Sequence, residues 1–166
     1  IFFVMADNAV AMEQKLKANQ TELLNIALRN EEKNAAAVAE LTSLGGQAKA
    51  FVCDVTDESQ VNDAFAATLA HYGKVDSCFA NAGGGGPAGF LHETDSATWN
   101  SGIDLNVNSV VNTFRPVIAH LLERKAPGKL VVTSSIAAQM GTGYHASYST
   151  TKAAVVGLVR ALAVEL

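Results

Sequence analysis

No glycine precedes Gly45 in this 166-residue chain. A strand that turns sharply into a helix and offers its amides to phosphate oxygens needs glycine at the turn, so "MADNAVAMEQKLKANQ" (Met5–Gln20) is expected to lack an open cradle of that kind. Ala6, Asp7, Asn8 and Ala9 place β-carbons there, and in one case a negative charge. An excess of positive charge is also absent: 12 Lys and Arg stand against 16 Asp and Glu, interspersed, for a net charge of −4. That balance gives nucleic acid no basic stripe to bind. Long apolar runs are missing, none approaching the roughly 20 residues that span a bilayer. The opening "IFFVMA" is too short for a signal core and has no basic leader, so a buried first strand and a cytoplasmic protein are expected. Cysteine is scarce. Cys53 and Cys78 both sit in apolar strand-like runs and read as reduced, buried side chains. His71, His92, His120 and His145 follow no ligand-like spacing, and no metal site is expected.

What the chain does have is apolar residues, 49% of the total, enough to build the core of one α/β domain over residues 1–166. Short β-like runs alternate with helical patterns, the mark of a parallel sheet with crossover helices. Strands are predicted at Phe2–Met5, Asn25–Leu28, Ala48–Cys53, Ser77–Ala80 and Lys129–Thr133. Helices are predicted near Asn8–Gln20, Glu31–Leu44, Glu58–Tyr72 and Ala97–Arg124, with a last one from Ser147 onward. Gly45-Gly46 and Gly73 stand where a left-handed residue would close a helix. The low-complexity "GGGGPAG", Gly83–Gly89, follows a strand directly, so it belongs at the carboxyl edge of the sheet, where open α/β sheets bind ligands.

The stretch "TGYHASYSTTKAAVVGL" (Thr142–Leu158) holds two tyrosines and one lysine. A helix starting near Ser147 puts Tyr148 and Lys152 one turn apart on one face, while Tyr144 falls before it. A free phenol titrates near pH ~10, so deprotonation near neutrality needs a neighbouring cation, which Lys152 can supply.

Together, "NAG" (Asn81–Gly83), Asn106 seven residues after Trp99, Ser134-Ser135 and Tyr148-x-x-x-Lys152 resemble the short-chain dehydrogenase/reductase family over about Asn25–Leu166. The resemblance implies a doubly wound, Rossmann-like sheet with helices on both faces and hydride exchange between a nicotinamide cofactor and a secondary alcohol or ketone. Tyr148 would be the general acid or base, and Lys152 would support it and hold the nicotinamide ribose. Ser135 would hydrogen-bond the substrate oxygen, with Ser134 the poorer match. Asn106 would anchor a proton-relay water from within a long helix whose ladder its amide can interrupt; Asn108 competes for that role. Plainer readings stand beside these: a half-buried tyrosine with a solvated lysine, a surface asparagine and a strand-end serine.

The resemblance extends to cofactor contacts. Asp54-Val55 would meet the adenine ring, and Asn81, Ala82 and Gly83 would lie beside the adenosine ribose. Arg29, where an NAD-selective member usually carries an acidic residue, favours a 2′-phosphate and so NADP, with NAD as the alternative. A solvated turn residue and a surface arginine are the plain readings of Asp54 and Arg29. Two departures bear on function: the glycine-free N-terminal stretch, and an end at Leu166 where members continue through further strands. The chain therefore reads as a truncated or degenerate member, incomplete at the C-terminus. Two functions follow, an oxidoreductase or a non-catalytic relative that associates with its own kind. Either way, 97–124 and 147–166 resemble the helices that pair subunits into homo-oligomers in that family.

Overall fold

The computed structural model describes residues 2–5 and 23–28 by their backbone and residues 31–166 in full. Five strands form one parallel sheet: β1 (Phe2–Met5), β2 (Leu23–Leu28), β3 (Gln47–Val52), β4 (Ser77–Ala80) and β5 (Lys129–Val132), in the order β3-β2-β1-β4-β5. That order is the one used by doubly wound dinucleotide-binding folds. The register aligns the strand ends. Met5 lies between Ala27 of β2 and Ala80 of β4, and Ala80 pairs with Val132. The residues that follow β4 and β5, Asn81 and Thr133, therefore leave the sheet side by side.

Helix α1 (Glu31–Ser43) packs on β2 and β3, and α2 (Glu58–Tyr72) packs on α4 (Ser109–Glu123). The sequence marks both ends of α2. The Asp57 carboxylate accepts the Ser59 and Gln60 amides at 2.9 and 3.2 Å, satisfying donors that the helix leaves open. Gly73, at φ +78°, then turns the chain out. The core joins Cys53, Val61, Phe65, Val75, Cys78, Phe114, Val117 and Val155 from strands and helices alike. Burial raises both thiols, Cys53 to about 11, with Asp54 and Asp57 adding to the effect there.

Most predicted elements appear within a residue or two of their expected bounds, and β1 does pair with β2. The expected helix at Asn8–Gln20 and the turn Ala6–Ala9 lie outside the described residues. One prediction needs correcting. Ala97–Arg124 is not a single helix: α3 (Ser96–Ile103) passes into a π-type turn at Asp104–Asn108 before α4 begins. There the Ser109 amide reaches back five residues to the Asp104 carbonyl. The Asn106 side chain donates at 3.1 Å to the Gly102 carbonyl, which in a regular helix would serve the Asn106 backbone amide. A short helix that periodicity does not reveal, α5 (Ala137–Met140), precedes the long α6 (Ala146–Glu165).

Candidate active site

Three segments meet beyond the carboxyl ends of β4 and β5: the glycine loop after β4, the π-type turn and the first turns of α6. Asn106 joins the first two. Its side chain is 1% exposed, accepts the Gly84 amide at 3.1 Å and donates to the Gly84 carbonyl at 3.0 Å. Both its N–H groups and its Oδ1 are engaged with the glycine loop and Gly102, so the turn and the loop are held as one unit.

Lys152 joins α6 to β5. Its Nζ donates to the Thr133 carbonyl at 2.9 Å, while the Ser134 hydroxyl donates to the Lys152 carbonyl at 2.8 Å. Thr133 also hydrogen-bonds Asn81 through its hydroxyl, linking the exits of β5 and β4. The ammonium is 4% exposed and lies 5.7 Å from the centre of the Tyr148 ring. Burial lowers its pKa from the ordinary 10.5.

Gly83 closes the cluster. A β-carbon there would sit 2.7 Å from Asn106 Oδ1 and 3.1 Å from Lys152 Nζ, so the bare backbone is what lets amide and ammonium flank the same point. Asn106, Gly83 and Lys152 are thus brought together, with Asn81 one bond away through Thr133. Tyr148 and Asn106 line one cavity with Gly84–Gly86, Leu105 and Tyr144. Tyr148 is half-buried, and among the described residues nothing hydrogen-bonds its hydroxyl. Ser135 is not among the residues lining that cavity; its hydroxyl accepts the Ala137 amide at 3.2 Å at the start of α5. Tyr144 precedes α6, 60% exposed and at φ +63°.

The remaining expected contacts differ in character. Asp54 Oδ1 accepts the Thr56 amide and hydroxyl at 3.0 and 2.7 Å, forming a local turn. Val55 is buried in the core and its carbonyl accepts from Asn112 at 3.2 Å, so the backbone around it is fixed from behind. Ala82 packs against the core. Asn108 bonds Asp104 on the exposed side, away from the cluster that Asn106 serves. Arg29 lies outside the described residues. Sequence reading passed over Thr133, whose carbonyl holds the lysine; a backbone acceptor leaves no mark on residue identity, although its position at the strand end was legible.

The donor set suits a polyhydroxylated ligand. An ammonium has three N–H groups, and Lys152 uses one on a described acceptor, leaving two beside a stretch of bare backbone and 5.7 Å from the centre of the Tyr148 ring. Ribose hydroxyls can both accept and donate, which is what a nicotinamide cofactor would bring.

Sheet order and site position define a dinucleotide-binding α/β fold with its cleft at the carboxyl edge. A family model described as short chain dehydrogenase matches residues 9–166, and the chain belongs to that family. It is 36% identical over 137 residues to a 3beta-hydroxysteroid dehydrogenase from Mediterraneibacter gnavus, covering 82% of this chain and 49% of that protein. It is 33% identical over 155 residues to an A-factor type gamma-butyrolactone 1'-reductase (1S-forming) from Streptomyces virginiae, covering 93% and 60%. Among solved structures, a short chain dehydrogenase/reductase from Burkholderia phymatum in complex with NAD superposes with a TM-score of 0.90 at 26% identity, covering 99% of this chain and 59% of that one. ElxO with NADP bound superposes at 0.85 with 28% identity, covering 99% and 67%. The chain spans about half the length of the curated relatives it matches. Among the described residues no helix is long and apolar enough to cross a membrane.

Proposed function

We propose that this chain carries the dinucleotide-binding and proton-transfer centre of an oxidoreductase that interconverts a secondary alcohol and a ketone, with NADP as cofactor and NAD as the alternative. One observation carries the reading: a buried lysine that uses one N–H on the described residues, beside a tyrosine whose hydroxyl has no partner among them, across from a glycine whose β-carbon would collide with Asn106.

Nicotinamide, when bound, supplies the hydride acceptor or donor. The protein's own residues do the rest. Tyr148 takes the hydroxyl proton from an alcohol or returns it to a ketone oxygen. Lys152 holds positive charge near the Tyr148 ring and offers donors to ribose hydroxyls. Ser135 holds the substrate oxygen. Asn106 fixes the glycine loop and the π-type turn. Asn81, Ala82 and Gly83 border the adenosine ribose, with Asp54 and Val55 at the adenine. The preference for NADP rests on Arg29, which directly follows β2 in sequence.

The free thiols of Cys53 and Cys78 support a cytoplasmic setting. Exposed Leu122 on α4 and Val159 and Val164 on α6 support pairing of two copies through segments 97–124 and 147–166. Residues 1–166 are read as one domain, built on the shared sheet and core.

Tyr148→Phe tests the chemistry, because it removes one hydroxyl and little volume. Assayed with NADPH and a panel of ketones, it should lower turnover by a factor of roughly 10²–10⁴ with the melting temperature unchanged. Retention of more than about a tenth of the rate contradicts the role.

A further inference from the structure

Tyr144 lines the Tyr148 cavity, and Phe90, next in sequence to the lining residue Gly89, packs against Tyr144. Phe90 and Tyr144 meet edge to face, with ring centres 5.0 Å apart and planes at 70°. Both are large apolar surfaces left open, 51% and 60% exposed, and neighbouring Leu91 is 60% exposed. Exposed rings beside a cavity offer apolar contact to a ligand that enters it.

The backbone that carries both rings is tied down. The Tyr144 carbonyl accepts the Gly89 amide at 2.9 Å, tying the segment before α6 to the glycine loop. The Phe90 carbonyl accepts both the Glu93 amide and the Thr94 hydroxyl at 3.0 Å. Tyr144 keeps a left-handed backbone, φ +63°, which a bulky residue adopts only when its surroundings impose it. The cost sustains an exposed ring at the cavity mouth.

The glycines make a second, independent observation. Gly85 and Gly89 line the same cavity, neither has a positive φ, and an added β-carbon at either meets nothing within 4 Å. The packing of the chain does not require glycine at these two positions. Their missing side chains leave open space in the cavity that Tyr144 also lines.

We propose that Phe90 and Tyr144 form an aromatic clamp that selects substrates carrying a flat apolar ring beside the reacting alcohol or ketone. The proposal rests on the reading that places the reacting oxygen at Tyr148. A ring slid between the clamp and the glycine wall gains ring-to-ring contact and apolar burial. A flexible alkyl chain gains the burial alone and loses rotamer freedom on entering.

The test uses the full chain labelled with 3-fluorotyrosine, whose three signals belong to Tyr72, Tyr144 and Tyr148 and are assigned by single Tyr→Phe substitutions. Two ketones of equal carbon count, 1-tetralone and 2-decanone, are titrated separately while fluorine spectra are recorded. Tetralone should move the Tyr144 and Tyr148 signals and leave that of Tyr72 in place. In a Tyr144→Asn variant, where asparagine tolerates the left-handed backbone, tetralone affinity should fall at least about threefold more than that of 2-decanone. Movement of Tyr148 alone, of neither signal, or an equal loss for both ketones overturns the clamp. Movement of Tyr144 alone supports the clamp and overturns the assignment of the reacting end to Tyr148.

Discussion

At the scale of single residues, Gly83 and Lys152 set the sharpest demands. The Asn106 Oδ1 that a Gly83 β-carbon would meet is already held by the Gly84 amide, and Lys152 can retreat only by releasing the Thr133 carbonyl. Gly83→Ala should therefore cost about 1–3 kcal/mol, the usual range for overpacking a closed site. A thermal melt reads that as a drop of roughly 2–4 °C per kcal/mol for a chain of this size. An unchanged melt would mean that the amide and ammonium are free to move. Lys152 makes stability depend on pH. Burial lowers its pKa in the folded chain below the ordinary 10.5, so at neutral pH the buried charge counts against folding. That burden is fully present below the folded pKa and is relieved as pH rises through it toward 10.5. Urea unfolding should accordingly show wild-type stability rising relative to Lys152→Met across the alkaline range up to that value. A constant difference would contradict the burial argument.

At the scale of elements, the turn from α4 into β5 is packed as tightly as the site. A β-carbon on Gly128 would press on both Leu121 methyls and lie 3.0 Å from the Asp76 carbonyl oxygen. Asp76 cannot yield easily, because Arg124 grips its carboxylate at 3.1 Å and the Val75 carbonyl at 2.9 Å. Gly128→Ala is expected to destabilise by about 1–3 kcal/mol in urea unfolding, and a neutral result would show that Leu121 rotates clear. Elements such as α2 were legible because their signals are local: apolar spacing, and Gly73 at the end. The π-type turn was half legible. Asn106 stood out as a residue able to interrupt a ladder, yet the apolar pattern continues on both sides of it. What fixes the interruption is Gly84, 22 residues away in sequence, which no local period can reveal. Helix α5 escaped notice because four residues are too few to show a period. The hydrogen bond from its Ala137 amide to the Ser135 hydroxyl escaped with it.

At the scale of the whole molecule, the parallel sheet gathers residues from distant segments at one edge, and its register explains how. With Met5, Ala27, Ala80 and Val132 in one row, the described segments that follow β4 and β5 leave the sheet at the same edge. Alternation of strands and helices foretold that edge. It could not foretell the pairing of Thr133 with Asn81 and Lys152, which depends on strand order. The sequence supplies the argument about affinity: Ala6 to Ala9, outside the described residues, carry β-carbons where a glycine-rich turn would be needed to cradle a pyrophosphate, so weak binding is expected. The central claim is that the Tyr148–Lys152 cleft holds a nicotinamide cofactor, and calorimetric titration of the chain with NADP tests it most directly. Binding should be measurable but weaker than the low micromolar range, and Lys152→Met should weaken it at least about tenfold, as loss of charge-assisted hydrogen bonds would. No binding by the unaltered chain, or equal affinity in both proteins, would contradict the claim.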